Sequence, residues 1–280
     1  PPPIAASSTP SPFRTPSVDP TPGRVAVDYR RPTMPAEPPA VELLPRPTSG
    51  RVVTRTRTVR LGDVDDRGRL RLDATARYLQ DVATDDANEA ALDDTFGWVV
   101  RRTLIDVRRA AALDEPVELA TFCSGTGRSW AERRTSIIGE RGASIEAVSL
   151  WIRIDPRTGR PTGLGDQFLA VYGASAQGRL VSTRLALDRP PADASRRPWP
   201  VRRVDLDPLR HVNNAVHWAA VEETLPDGSR CGTGQIEYLR PIDAGTEVDL
   251  VATADNGRAR SAWLLSDDAV FTAARWTPTS

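Results

Sequence analysis

There is no lysine in this chain of 280 residues; all 37 basic side chains are arginine, and 37 acidic ones bring the net charge to zero. A Walker A loop and a pyridoxal Schiff base each need a lysine, so both chemistries are excluded. Balanced charge also removes the basic excess of a nucleic-acid-binding face. Cysteine occurs only as Cys123 and Cys231, too few for a disulfide framework and too far apart for a ligand motif, which suits a reducing compartment. No apolar run approaches the ~20 residues that would cross a bilayer, and no basic-then-apolar leader is visible, so a cytoplasmic protein without a membrane span is expected. Histidine occurs twice, as His211 and His217. Six residues apart, they would point about 240° away from each other on a helix, unlike the i, i+4 pair of a zinc site. Neither a metal nor a cofactor is expected.

What is present divides into two kinds of material. Residues 1–50 hold 14 of the 25 prolines, and their shortage of large apolar side chains predicts a disordered Pro-rich tail. The single methionine, Met34, marks a candidate natural start within it. Beyond residue 50, apolar patterning of ordinary globular density predicts an α+β fold. A period-2 strand covers Arg51–Val59. Asp73 is an expected N-cap for a helix of about 18 residues, with Leu79, Val82, Ala83, Ala87 and Ala90 on one face. Strands follow at Trp98–Val107, Val117–Cys123, Trp130–Ile138 and Ala147–Ile154. Residues 163–198 read as a connector with a helical piece at Gln167–Ala174 and a strand near Leu180–Leu187. A strand at Val201–Leu206 and a helix at Asn214–Leu225 come next, then strands at Gly234–Leu239, Thr246–Ala252, Ala259–Leu265 and Ala269–Arg275.

The second half repeats the first. Subtracting 131 from Ile236, Arg240, Val248 and Leu250 lands on Ile105, Arg109, Val117 and Leu119, which are the same residue types. A Gly-Arg pair recurs as Gly127-Arg128 and Gly257-Arg258. Two copies of one helix-plus-sheet unit are expected, at 51–162 and 199–280.

Both histidines fall in Asp207-Pro208-Leu209-Arg210-His211-Val212-Asn213-Asn214-Ala215-Val216-His217. The segment sets a carboxylate and an imidazole just before a helix, with Asn213 or Asn214 as N-cap and unpaired first-turn N–H groups facing the same space. Such a cluster can act as an acid or base beside an oxyanion site. It can equally be a turn cap, a core histidine and a helix cap with no chemistry. Glu222 reads most simply as a solvated helix charge. No G-x-S-x-G is present, which disfavours a serine nucleophile.

The string D-P-x-x-H-V-N-N-A, with Glu222 eleven residues past His211, resembles the signature of hotdog-fold thioesterases of the 4-hydroxybenzoyl-CoA type. From about Val53 to Arg275 the chain resembles the tandem-hotdog acyl-ACP thioesterases. Tyr78-Leu79-Gln80-Asp81-Val82-Ala83 is similar to that family's first-helix signature. Val117–Cys123 with Gly127-Arg128 is similar to its central strand and turn, and Glu237-Tyr238 with Arg240 to the segment after its second helix. The resemblance implies a tandem (double) hotdog that hydrolyses fatty acyl thioesters, acyl-ACP or acyl-CoA, as a monomer or homodimer. It implies an acyl chain under the first hotdog and a single active site in the second. Asp207 is then the catalytic carboxylate and His211 the group that positions the carbonyl, with amides near Val212 and Asn213, beside Asn214, as the oxyanion site. Leu209 stands where the acyl-ACP thioesterases have asparagine, and Pro241-Ile242 where they have an acid and a cysteine, leaving Asp243 as a substitute acid. The first copy has Arg67-Gly68-Arg69-Leu70 where the histidine string would fall. Arg202, Arg203 and Arg210 are the candidate carrier-binding cluster. A non-catalytic acyl-thioester binding protein and a hotdog hydratase or dehydratase are the competing readings.

Overall fold

A computed structural model of the chain describes residues 43–92, 97–254 and 259–279. Most of the expected tail, Met34 and the Gly257-Arg258 pair lie outside these residues. The first copy comprises β1 (Val52–Thr58), α1 (Leu72–Ala90), β2 (Gly97–Arg109), β3 (Pro116–Thr126), β4 (Trp130–Gly139) and β5 (Ser144–Ile154). A connecting helix, α2 (Gly165–Ala176), leads to β6 (Arg196–Trp199), α3 (Val216–Glu222), β7 (Arg230–Tyr238), β8 (Val248–Ala254), β9 (Arg260–Ser266) and β10 (Ala269–Thr279). All ten strands form one sheet in the order β1-β3-β4-β5-β2-β7-β10-β9-β8-β6, every adjacent pair antiparallel. The order reads the same from either edge once each strand is replaced by its counterpart.

The register at the join carries the duplication. Leu104 pairs with Gln235, residues themselves 131 apart, and the same offset exchanges the pair Arg102 and Glu237 with the pair Asp106 and Thr233. A pseudo-twofold axis therefore passes through the Leu104–Gln235 pair. The two copies form the tandem hotdog that the resemblance implied, with the central strands β2 and β7 joining their sheets. One apolar cluster runs through both copies, from Tyr78, Leu79 and Val82 of α1 through Ile105 and Leu119 to Trp218, Val221, Ile236 and Trp276. Burying these large side chains is the main favourable term holding the helices to the sheet.

A second offset operates before the helices. The 3₁₀ turn Leu61–Asp63 matches Arg203–Asp205, 142 residues on. The bridges Val64–Leu70 and Leu206–Val212 keep the same spacing. Because the strands are 131 apart and the turns 142, the first copy holds eleven more residues between helix start and central strand. They lengthen α1 to 19 residues, whereas α3 has seven.

Three local expectations are corrected. Val201–Leu206 forms a 3₁₀ turn rather than a strand, because the Asp205 carboxylate accepts the Arg202 N–H at 2.8 Å and closes it. Leu180–Leu187 makes no strand, since Ala186 and Leu187 donate their N–H groups to the carboxylate of Glu237. Asp73 lies inside the first turn of α1 instead of capping it. The edge strand β6 pairs with β8, so the second copy's sheet takes in residues from 196 onward. Among the described residues no helix is long and apolar enough to cross a membrane.

Candidate active site

The loop before α3 is shaped by its aspartate. Asp207 Oδ1 accepts the N–H groups of Leu209 at 2.9 Å and His211 at 3.0 Å, while the Arg210 N–H reaches the Asp207 carbonyl at 2.9 Å. The turn drives Arg210 to φ +64°, a region that costs a side chain and suits glycine. Its counterpart is Gly68, at φ +72°. Asp65 plays the matching part there, its Oδ1 accepting the N–H groups of Arg67 and Arg69 at 2.9 and 2.8 Å. Turn closure is thus a real duty of this aspartate in both copies.

The copies diverge at the second carboxylate oxygen. Asp65 Oδ2 is held by Arg69 Nε at 2.8 Å. In the second copy His211 replaces that arginine, and Asp207 Oδ2 has no hydrogen-bond partner among the described residues. The His211 ring turns instead to Asp243, with Nε2 at 3.3 Å from Oδ1, at the protein surface. Asp243 thereby stands beside the imidazole, two residues past Pro241.

Two of the expected oxyanion donors are occupied. The Val212 N–H donates to the Ile242 carbonyl at 2.8 Å and the Asn213 N–H to the Asp205 carbonyl at 2.8 Å, so neither amide faces a ligand. Asn213 acts through its side chain, Oδ1 accepting the Ala215 N–H at 2.8 Å in a turn just before α3; the N-cap position is Ala215 rather than the expected Asn213 or Asn214. The Asn214 N–H is left, with no partner among the described residues, and its carbonyl accepts the Tyr238 hydroxyl at 3.2 Å. In the first copy the matching amide, Leu72 N–H, is taken by Glu222 Oε1 at 2.8 Å. Glu222 therefore points inward rather than into solvent, and burial raises its pKa to about 7 against the hydrogen bond from Leu72.

Gln80 of α1, which neither composition nor spacing singles out, meets the same loop. Its Nε2 donates to Asn213 Oδ1 at 3.1 Å, tying the first copy's helix to the second copy's loop. Gln80, Arg133 and Trp151 line a narrow cleft of about 20 Å³ that also meets Asn214, Ala215 and Trp218. The same three residues line a cavity of about 700 Å³ under the first copy, within the usual size of a ligand site. Asp81, Thr84, Ala87 and Asn88, on the extension of α1, form one wall; Trp98, Phe168 and Tyr172 form another. Asp207 and His211 line neither space.

The remaining expected residues separate. His217 is a core residue, its Nδ1 at 2.6 Å from Thr272 Oγ1, and burial lowers its pKa to about 4, which keeps the ring neutral. Arg202 is paired with the Asp205 carboxylate through Nε and Nη2 while staying exposed, and Arg203 and Arg210 are exposed beside it. Beside them Val204 and Leu209 are exposed apolar side chains. Among the described residues no group of three or more acidic, histidine or cysteine side chains could hold a metal ion.

The family model of the acyl-ACP thioesterase N-terminal domain matches residues 50–172, and that of the acyl-ACP thioesterase C-terminal domain matches residues 189–268. An uncharacterised protein of Mycobacterium tuberculosis is 31% identical over 230 residues, 81% of this chain and 92% of that one. A solved structure from Lactobacillus plantarum assigned as an oleoyl thioesterase superposes with a TM-score of 0.72 at 22% identity, covering 83% of this chain and 98% of that one. The 12:0-ACP thioesterase of Umbellularia californica does so with 0.69 at 20% identity, covering 81% and 97%. The chain belongs to the acyl-ACP thioesterase family, thioester hydrolases built on the tandem hotdog fold.

Proposed function

We propose that this hydrolase acts on fatty acyl thioesters, acyl-ACP foremost, at the start of α3, with the acyl chain in the cavity under the first copy. The observation that carries this reading is the open Asn214 N–H at a cleft whose other end shares Gln80, Arg133 and Trp151 with the 700 Å³ cavity. A carbonyl oxygen at that amide gains a donor as it takes on negative charge, aided by the positive end of the helix. Asp207 takes the proton of the attacking water on its free Oδ2 as the water oxygen bonds to the carbonyl carbon. Collapse then breaks the C–S bond, and the proton passes to the leaving thiolate, giving free fatty acid and carrier thiol. His211, steadied by Asp243, positions the thioester from the outer side. The exposed Arg203 and Arg210, set among Val204 and Leu209, suit an acidic carrier protein.

The test compares Asp207→Asn with Asp65→Asn. An asparagine Oδ1 can still accept both turn amides, so each variant should stay within about 1 kcal/mol of wild-type stability. Loss of a general base costs ~10² to 10⁴ in rate, so Asp207→Asn should lose at least a hundredfold in turnover of palmitoyl-ACP, followed with a thiol reagent. Asp65→Asn should stay within about threefold. A loss below tenfold for Asp207→Asn overturns its assignment as base.

A further inference from the structure

We infer that Gln80 is a positioning residue of the hydrolysis, holding the attacking water on its Oε1 while its Nε2 anchors Asn213; this rests on the reading of the α3 start as the reaction site. The orientation of both amides follows from a chain of hydrogen bonds. The Ala215 backbone N–H can only donate, so the Asn213 atom facing it is the oxygen. The Gln80 atom 3.1 Å from that oxygen must in turn be the NH₂ group. Oε1 is then the free end of the side chain and has no partner among the described residues. It belongs to a residue lining both the cleft and the cavity.

The duplication says what that free oxygen does. With the 142-residue offset Gln80 corresponds to Glu222, and the Asn214 amide to that of Leu72. In the first copy the side chain at this helix position reaches across and takes the opposing helix's first amide directly, at 2.8 Å, leaving no room for a ligand between them. In the second copy Asn213 draws the Gln80 amide group aside, and the Asn214 N–H stays open. The acceptor and the donor are thus held apart around a cleft of about 20 Å³, room for about one water. A water there can give one hydrogen to Gln80 Oε1, which aims an oxygen lone pair at the carbonyl carbon on the Asn214 amide. Gln80 takes no proton itself, since an amide is not a base near neutral pH. A carboxylate at position 80 would instead capture the Asn214 N–H as Glu222 captures that of Leu72, and would repel the oxyanion.

The test is steady-state kinetics of Gln80→Ala and Gln80→Glu on palmitoyl-ACP from pH 5 to 9, with melting temperature as control. Gln80→Ala should lower kcat at least tenfold with KM within about threefold and melting within a few degrees. Gln80→Glu should work best at low pH, where the protonated acid accepts and donates as glutamine does, and should lose activity as it ionises; wild type should show no such fall. Wild-type kcat in Gln80→Ala overturns the inference, as do equal, pH-independent losses in both variants, the mark of a purely structural role. Absence of turnover by the wild-type protein would overturn the hydrolase reading itself.

Discussion

Replacing Glu222 by glutamine is expected to raise stability at neutral pH while leaving it unchanged near pH 4. The side chain lies against the start of α1, where burial lifts its pKa from 4.5 to about 7. The native state therefore holds this proton more tightly than the unfolded chain. Its contribution is fully present below pH 4.5 and is lost as pH rises from 4.5 to about 7. With 1.36 kcal/mol for each tenfold change in proton affinity, the loss between pH 4.5 and about 7 is on the order of 3 kcal/mol. Glutamine mimics the protonated acid, and its Oε1 can still accept the Leu72 N–H. The variant should match wild type at pH 4 and exceed it by up to ~3 kcal/mol above pH 7, a rise in melting temperature of roughly 6 to 12 °C for a domain of this size. His217 works in the opposite sense. Burial lowers its pKa from 6.5 to about 4, so its contribution is present above pH 6.5 and is lost as pH falls towards 4. Across pH 4.5 to 6.5 the two nearly cancel in wild type, and Glu222→Gln should unmask the falling histidine limb on acidification. Urea titrations followed by tryptophan fluorescence measure both effects. A stability difference between variant and wild type that stays constant within about 0.5 kcal/mol from pH 4.5 to 8 would refute the reasoning.

Two further outcomes concern the cavity and the exposed arginines. Ala131 is buried in β4 and lines the 700 Å³ cavity; Ala131→Phe should fill part of it and lower kcat/KM for C16 and C18 acyl thioesters at least tenfold while sparing C8 within about threefold, as read from a chain-length series. Arg203→Glu with Arg210→Glu should raise KM for acyl-ACP at least fivefold at low salt but leave acyl-CoA within about twofold, because reversed charge opposes an acidic protein surface more than a small ligand, and the gap should shrink at 0.5 M salt.

The parts of this fold that the sequence displays plainly are those governed by local pattern. Val148, Leu150, Ile152 and Ile154 alternate and lie in β5, and the apolar face from Leu79 to Ala90 lies in α1. The 131-residue echo of Ile105 in Ile236 reappears as the register of β2 on β7. Less visible were features that depend on where a hydrogen bond goes. Nothing in Leu180–Leu187 shows that its amides turn to Glu237, and nothing in Val212 or Asn213 shows that their amides are spent on Ile242 and Asp205. Gln80 was hidden for a different reason. Its match to Glu222 needs the 142-residue offset, and the strands advertise only 131. The eleven residues that separate the two offsets are those that carry α1 past Gln80, and Asp81, Thr84, Ala87 and Asn88 on that extension wall the cavity. A strict duplication would have given two short helices and two equivalent helix starts. The longer first helix supplies a cavity on one side, and a glutamine in place of a carboxylate leaves one amide without a partner among the described residues on the other, so the cavity and that amide lie at the two places where the copies stopped being alike.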